Sequence, residues 1–415
     1  MDEIIRNWAG NVTFAHQALH TPQSVDEIQS VVRKASKIRV VGSRHSFNDI
    51  ADTKGDLLSL RHLTGVRRID PEARTVTIAG GAAYRDFARE LDAAGYALAN
   101  LASLPHITVA GACATSTHGS GSKNPGLASA IASLTLVTAN GELVTLSRGD
   151  AEFAGAPVNV GALGVVVEIT LDIVPRYEAR QEVFLDLPFE KLASNFDAIM
   201  SSAYSVSVFT SWRGDSVDQV WLKSLGDAPP HSRELHGARW ADRNVPLNPP
   251  PGTVAPGDLL GGNEAWYNRV SHHRVDTIIG AAAELQTEYF IACNDAPAAL
   301  EILRAMQHEF APLLQISEIR TIAADQLWLS GFYQRDSVAL HFAWYPQIAA
   351  VRALLPRIEA ALAPFSPRPH WGKLFTMPAA EVKSRYEKLG DFRKLATRLD
   401  PDGKFRNAFV DEFVF

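Results

Sequence analysis

Two interleaved α+β domains are predicted for this 415-residue chain, and three features carry the prediction. Strand-like and helix-like segments alternate through the first ~175 residues. After Pro175 the pattern changes to pieces that alternate as half-buried antiparallel strands do. The tail from Pro367 has a pattern of its own and is expected to return to the first domain. The boundaries fall at 1–178, 179–366 and 367–415.

Each element has a local cause. Ser24-Val25-Asp26-Glu27 is a capping box, and Ile28, Val31, Val32 and Ala35 continue at helical spacing. Ile38 to Val41 is a strand closed by Gly42. Arg74 to Ile78 alternates with period two until Gly80-Gly81. Phe87 and Leu91 mark the next helix, with Gly95 at its C-terminal cap. Leu134–Val137 and Leu143–Leu146 flank Ala139-Asn140-Gly141, a hairpin signal. Beyond Pro175, Val206–Trp212 and Gln219–Lys223 read as strands. Residues 226–262, with Pro249-Pro250-Pro251, read as a long surface excursion. A second strand–helix group runs from about Leu285 to Ala363, and a helix is expected near Glu381–Leu399.

Composition narrows the function classes. Apolar residues make up 46% and charged residues 21%, and Gly (28) and Pro (23) are too few for a low-complexity chain. Disorder, collagen and coiled coil are excluded. No apolar run approaches the ~18–20 residues of a membrane span. MDEIIRNWAGN lacks the basic and apolar regions of a signal peptide, so a cytoplasmic location is expected. Two cysteines, Cys113 and Cys293, build no cysteine-based metal site and read as small buried hydrophobes. A net charge of −6 with mixed signs leaves no basic stripe for nucleic acid. No Gly-x-Gly-x-x-Gly opens a helix, Gly372-Lys373 is followed by Leu374 rather than Ser or Thr, and His308-Glu309 lacks a second His. His272-His273 are adjacent and make poor joint ligands. No metal site is expected.

Two loops remain. Val40-Val41-Gly42-Ser43-Arg44-His45-Ser46 follows a strand directly, and its small residues let a ligand approach the backbone. A neutral His there offers a lone pair as base, ligand or nucleophile, or merely bonds local backbone. The second loop, Ser103 to Gly121, is rich in small and hydroxyl residues. It is too Gly-rich for a stable helix and too polar for a core strand, and it suits an extended phosphate-bearing ligand.

These paired loops resemble the vanillyl-alcohol-oxidase/PCMH-type FAD-binding fold. More closely, Ala102-Ser103-Leu104-Pro105-His106-Ile107, Thr117-His118-Gly119-Ser120-Gly121, Glu318-Ile319-Arg320-Thr321 and Arg368-Pro369-His370-Trp371-Gly372-Lys373 are similar to bacterial alditol (xylitol/sorbitol) oxidases. The ordered set, with Leu399-Asp400-Pro401, Gly403-Lys404-Phe405 and Asn407-Ala408-Phe409, spans almost the whole chain. The resemblance implies an FAD-binding domain and a substrate (cap) domain built on an antiparallel sheet. It implies a monomer that acts on a small polyol and O2, without nucleic acid or membrane.

Residue by residue, the resemblance implies FAD carried covalently through its 8α-methyl at His45. The flavin would be bordered by Val40, Val41, Gly42, Ser43, Arg44, Ser46, Ser103, Thr108, Gly111, Thr115, Ser116, Thr117, His118 and Val166. Glu318, Arg320 and Lys373, with Ser103, His341 and Ala343, would hold the polyol. Relatives with a second, cysteinyl flavin bond carry Cys where Leu104 stands, so one histidyl bond is implied. Arg320 and Lys373 are suited to stabilising alkoxide charge. His341 and Lys373 are both eligible proton acceptors. By spacing alone, Glu318 and Arg320 are more commonly a same-face surface ion pair, and His341 is more often a satisfied core histidine than a catalyst. Two departures stand out: Arg44 replaces a Gly, and Ala343 replaces a Thr that offers a hydroxyl. The implied activity is C1 oxidation of an alditol to an aldose with H2O2 formed. A sugar-lactone (gulonolactone-type) oxidase or dehydrogenase is the near alternative, and a binding protein that has lost flavin the remote one.

Overall fold

The computed structural model describes residues 4–247, 260–277 and 283–415. Pro249-Pro250-Pro251 lie outside the described residues. The helix opened by Ser24 spans Val25–Lys34, with the Ser24 hydroxyl accepting from the Glu27 amide at 3.2 Å. The Glu27 carboxylate reaches one residue further back than a capping box requires, accepting from Gln23 N–H at 2.8 Å. Buried Ile28 and Val32 pack this helix against Ile38, Leu58 and Phe405.

Three short strands, Ala18–His20, Asp56–Leu58 and Ile38–Val40, form a parallel sheet with Asp56–Leu58 central. Beside it stands a five-stranded antiparallel sheet ordered Val66–Asp70, Thr75–Ala79, Val165–Asp172, Ile131–Val137, Leu143–Ser147. Its last pair is the Asn140-Gly141 hairpin, closed with Gly141 at φ +82°. The tail meets this region: Arg39 Nη1 donates to Phe405 O at 2.7 Å, and Lys404 Nζ to Val32 O at 2.7 Å.

An 11-stranded sheet dominates the rest. Its middle runs Glu178–Pro188, Ser216–Leu225, Ser205–Thr210, Leu314–Ala323, Ser337–Trp344, Leu285–Ala292. Gly121–Pro125 joins it in parallel beside Leu314–Ala323 and links the two sheets.

Four expectations are corrected. Ser205–Thr210 is buried throughout rather than alternating, because Phe196–Met200 covers it on one side and Phe209 meets His272 on the other. The described part of 226–262 is no bare loop: Ala238–Trp240 and Gly261–Ala265 both pair with Glu178–Pro188. The expected 381–399 helix is two, Ala379–Ser384 and Leu389–Leu399, with Tyr386 between them turned inward to stack on Trp371 at 4.8 Å. Cys113 is buried but Cys293 only half-buried. No helix among the described residues is long and apolar enough to cross a membrane.

Candidate active site

Strand register builds one wall of the site. Glu288 pairs with His341, and His341 with Glu318, so the three stand in one cross-strand row. The next row is Gln286, Ala343, Ile316. Because side chains alternate along a strand, Glu318 and Arg320 share this face. It fronts a cavity of about 390 Å3 whose opposite wall is Val40–Ser46 and parts of 102–118. That volume lies within the ~300–1,000 Å3 typical of ligand pockets.

On the loop wall, Val40 to Ser46, Ser103, Thr108, Gly111, Thr115, Thr117 and His118 all line the cavity. Ser116 and Val166 do not. Ser116 adopts φ +60°, and its hydroxyl turns away to accept from Gly331 N–H at 3.0 Å. Val166 pairs with Leu136 inside the five-stranded sheet. The Gly-rich loop also contains a helix that its composition argues against, Val109–Ala114. Burial of Val109, Ala112 and Cys113 and a 2.9 Å bond from Val109 N–H to Ala82 O hold it.

The loop chemistry fits FAD. Val41 N–H reaches Leu58 O at 2.9 Å and Phe47 N–H reaches Gly372 O at 2.7 Å. The five amides between them, Gly42 to Ser46, donate to no acceptor among the described residues. Consecutive unpaired amides form an anion cradle, and unpaired backbone donors call for a partner. A Cβ on Gly42 would meet Thr108 Oγ1 at 2.2 Å, so only glycine lets the loops approach this closely. The His45 ring lies 4.1 Å from that of Trp8. Burial first, then the charges of Lys373, His273 and His106, push its pKa down to about 3. Its remaining exposure is to the cavity, so a neutral imidazole faces the ligand space. Arg44 is exposed with φ +61°, the left-handed region a glycine adopts without cost.

On the strand wall, Arg320 is the hub. Nη1 donates to Ser103 Oγ at 3.0 Å, Nη2 to Glu288 Oε1 at 3.0 Å, and Nε lies 3.4 Å from Glu318 Oε1. Arg320 is 6% exposed, which removes the surface ion-pair reading. Glu288 also meets His118 Nε2 at 3.1 Å. Glu318 lies well below the usual carboxylate range: Arg320 and His272 overcome the opposing, larger effect of burial. Lys373 donates to Gln286, whose amide donates to Glu284. Burial lowers the Lys373 pKa. His341 is pushed down to about 3, mainly by burial, and its buried Nδ1 has no partner among the described residues. Ala343 presents only a methyl to the cavity.

Glu288, Gln286 and Glu284 also line the cavity, though no motif singles them out, as do His370 of the Arg368–Lys373 motif and His273, to which the sequence assigned no role. The spacing of Gln286 and Glu288 repeats that of Glu318 and Arg320, a polar period-two pair inside an apolar strand, and was the available signal. His272 and His273 do not converge on one point: His272 Nε2 meets Glu318 Oε1 at 2.7 Å, while His273 faces the cavity. Among the described residues no group of three His, Cys, Asp or Glu forms a metal site.

Residues 16–147 match the FAD binding domain family, and residues 282–413 the D-arabinono-1,4-lactone oxidase family. Over 100% of both chains, the sequence is 42% identical to the alditol oxidase of a Streptomyces species. The chain belongs to the alditol oxidase family. As a member it is an FAD-dependent oxidoreductase. Identity to the L-gulono-1,4-lactone dehydrogenase of Mycobacterium tuberculosis is 29% over 99% of each chain. Among solved structures, a cholesterol oxidase from B. sterolicum superposes with a TM-score of 0.80 at 16% identity, covering 99% of this chain and 96% of that one. The xylooligosaccharide oxidase from Myceliophthora thermophila C1 gives 0.75 at 15%, covering 97% and 92%. Both likenesses place this alditol oxidase family member in the vanillyl-alcohol-oxidase/PCMH-type fold.

Proposed function

We propose that this protein oxidises the C1 primary alcohol of small alditols, xylitol and sorbitol among them, to the aldose, with O2 reduced to H2O2 and FAD attached to His45 by an 8α-histidyl bond. The observation that carries the reading is Arg320, held by Ser103 and Glu288 in the same cavity as the neutral His45. When bound, FAD supplies the hydride acceptor and passes the electron pair to O2. As hydride leaves C1 the hydroxyl loses its proton, and Arg320 and Lys373 stabilise the charge on that oxygen. One such preorganised donor contributes about 3–4 kcal/mol. His341, neutral and lining the cavity, is the group placed to take the hydroxyl proton. Glu318 accepts from the remaining hydroxyls through the oxygen that His272 leaves open. The carboxylates of Glu288 and Glu318 already offset the nearby cations, which suits a neutral polyol.

In this reading residues 1–178 hold the cofactor, 179–366 the substrate, and 367–415 return Lys373 to the site, in a cytoplasmic monomer. The test is an absorption spectrum before and after acid precipitation, with peroxide measured on xylitol in air. A yellow pellet that His45→Ala loses, and peroxide release, are expected. A colourless protein would favour a binding role, and bound colour in His45→Ala would move the attachment elsewhere. The match of residues 282–413 favours a lactone substrate as the second reading. An aldonolactone panel, with and without an artificial electron acceptor, separates the two.

A further inference from the structure

Near Glu318 but outside the cavity lining lies a buried lysine that the proposed chemistry does not use. Lys223 stands in Ser216–Leu225 and is 1% exposed. Its Nζ has three acceptors: Val270 O at 2.9 Å, Ser271 O at 3.0 Å and His272 Nδ1 at 2.9 Å. An ammonium has three donors and no acceptor, so the three bonds saturate it. While Lys223 is charged, His272 Nδ1 can only accept, which puts the proton of the neutral ring on Nε2, 2.7 Å from Glu318 Oε1. The segment is tied to the substrate wall a second time. His272 N–H and His273 N–H donate to Ser103 O at 3.0 and 3.2 Å, and the Ser103 hydroxyl accepts from Arg320. Neither Lys223 nor His272 lines the cavity.

We infer that Lys223 and His272 form a positioning relay: the lysine fixes the His272 tautomer, and His272 holds one oxygen of Glu318 so that the other faces the substrate. The inference rests on the reading of Glu318 as the polyol holder. Charge on Lys223 is what locks the tautomer. A neutral amine can accept from Nδ1–H, which would leave the Nε2 lone pair facing the carboxylate. Around Lys223 stand Glu318 and Arg320 on their strand, and Arg269, His272 and His273 on the 266–273 segment. Its cross-strand neighbours Gln181 and Ser205 carry no charge. Burial pushes the Lys223 pKa down to about 7, against the pull of Glu318. His272 lies at about 4, lowered by burial and by Lys223, and stays neutral near pH 7.

The test uses the flavin-loaded enzyme. His272→Leu and Lys223→Met are expected to raise KM for the alditol about tenfold while kcat changes less than about threefold, as lost ground-state binding does. His272→Gln keeps an acceptor beside a donor and is expected to restore KM to within about threefold of wild type. In the wild type KM rises as pH passes upward through about 7, and Lys223→Met removes that dependence. An unchanged KM in His272→Leu and Lys223→Met, or a failed Gln rescue, overturns the relay. Nitrogen-15 spectra of histidine-labelled wild type report the tautomer without turnover. The signal absent from His272→Gln must show protonated Nε2 at pH 6, and protonated Nδ1 overturns the relay. If no alditol is oxidised, the functional reading fails by itself while the spectra still decide the relay.

Discussion

Arg320 and Ser103, 217 positions apart in sequence, meet through a 3.0 Å hydrogen bond from guanidinium to hydroxyl. That bond joins the loop of the cofactor wall to the strand of the substrate wall. Arg320 thus donates to Ser103 and Glu288 and lies in ion-pair contact with Glu318.

Arg320→Lys keeps the charge but not the planar fork, and a lysine cannot reach all three partners at once. Turnover of alditol is expected to fall by about 10²- to 10³-fold, the size of one lost oxyanion-type donor. Flavin absorbance should stay at wild-type level. Steady-state kinetics on protein normalised by flavin content checks both.

Lys373 is set for a pH dependence. Burial depresses its pKa, so as pH rises the ammonium is lost earlier than that of an ordinary lysine. The kcat/KM profile should carry a descending alkaline limb from this group. Lys373→Met is expected to lower activity about 100-fold at pH 7 and to erase the limb.

Ala343 stands between Gln286 and Ile316 in a cross-strand row that lines the cavity. Ala343→Thr places a hydroxyl there. One added hydrogen bond of about 1 kcal/mol should lower KM for xylitol about fivefold without changing kcat. A panel of alditols of different length reads the effect.

Buried neutral histidines make the fold acid-sensitive. His272, His273 and His341 have folded pKa values of about 4, 4 and 3, against 6.5 for the free ring. The unfolded chain therefore takes up these protons first, and stability falls as pH drops from about 6.5 toward 4. Each group contributes about 1.4 kcal/mol per pH unit to the slope. Denaturant titrations between pH 7 and 5 should show the loss, with a shallower slope in His341→Gln.

Local signals were legible where their cause is local. The Ser24 cap, the Asn140-Gly141 turn and the alternation of Glu318 with Arg320 depend on residues within a few positions of each other. The short Val109–Ala114 helix was not legible, because it forms against Ala82 and a buried cluster that its glycine content does not announce. Ser116 stays out of the cavity lining for a similar reason: its left-handed backbone aims the hydroxyl at Gly331, a partner 215 positions away. Glu288 and His272 carry no motif, and only pairing brings them beside Arg320 and Glu318.

Residue types and spacing thus suffice for the two loops and the polar strand pair, and the family resemblance adds the attachment histidine candidate, since each is written in contiguous sequence. Which carboxylate meets which cation follows from the register of Leu285–Ala292, Leu314–Ala323 and Ser337–Trp344, strands whose pairing is a property of the assembled sheet. The same holds for protonation. His341 and Lys373 have ordinary side chains, and their depressed pKa values arise because the folded chain strips water from one face of that sheet and leaves it lining a cavity.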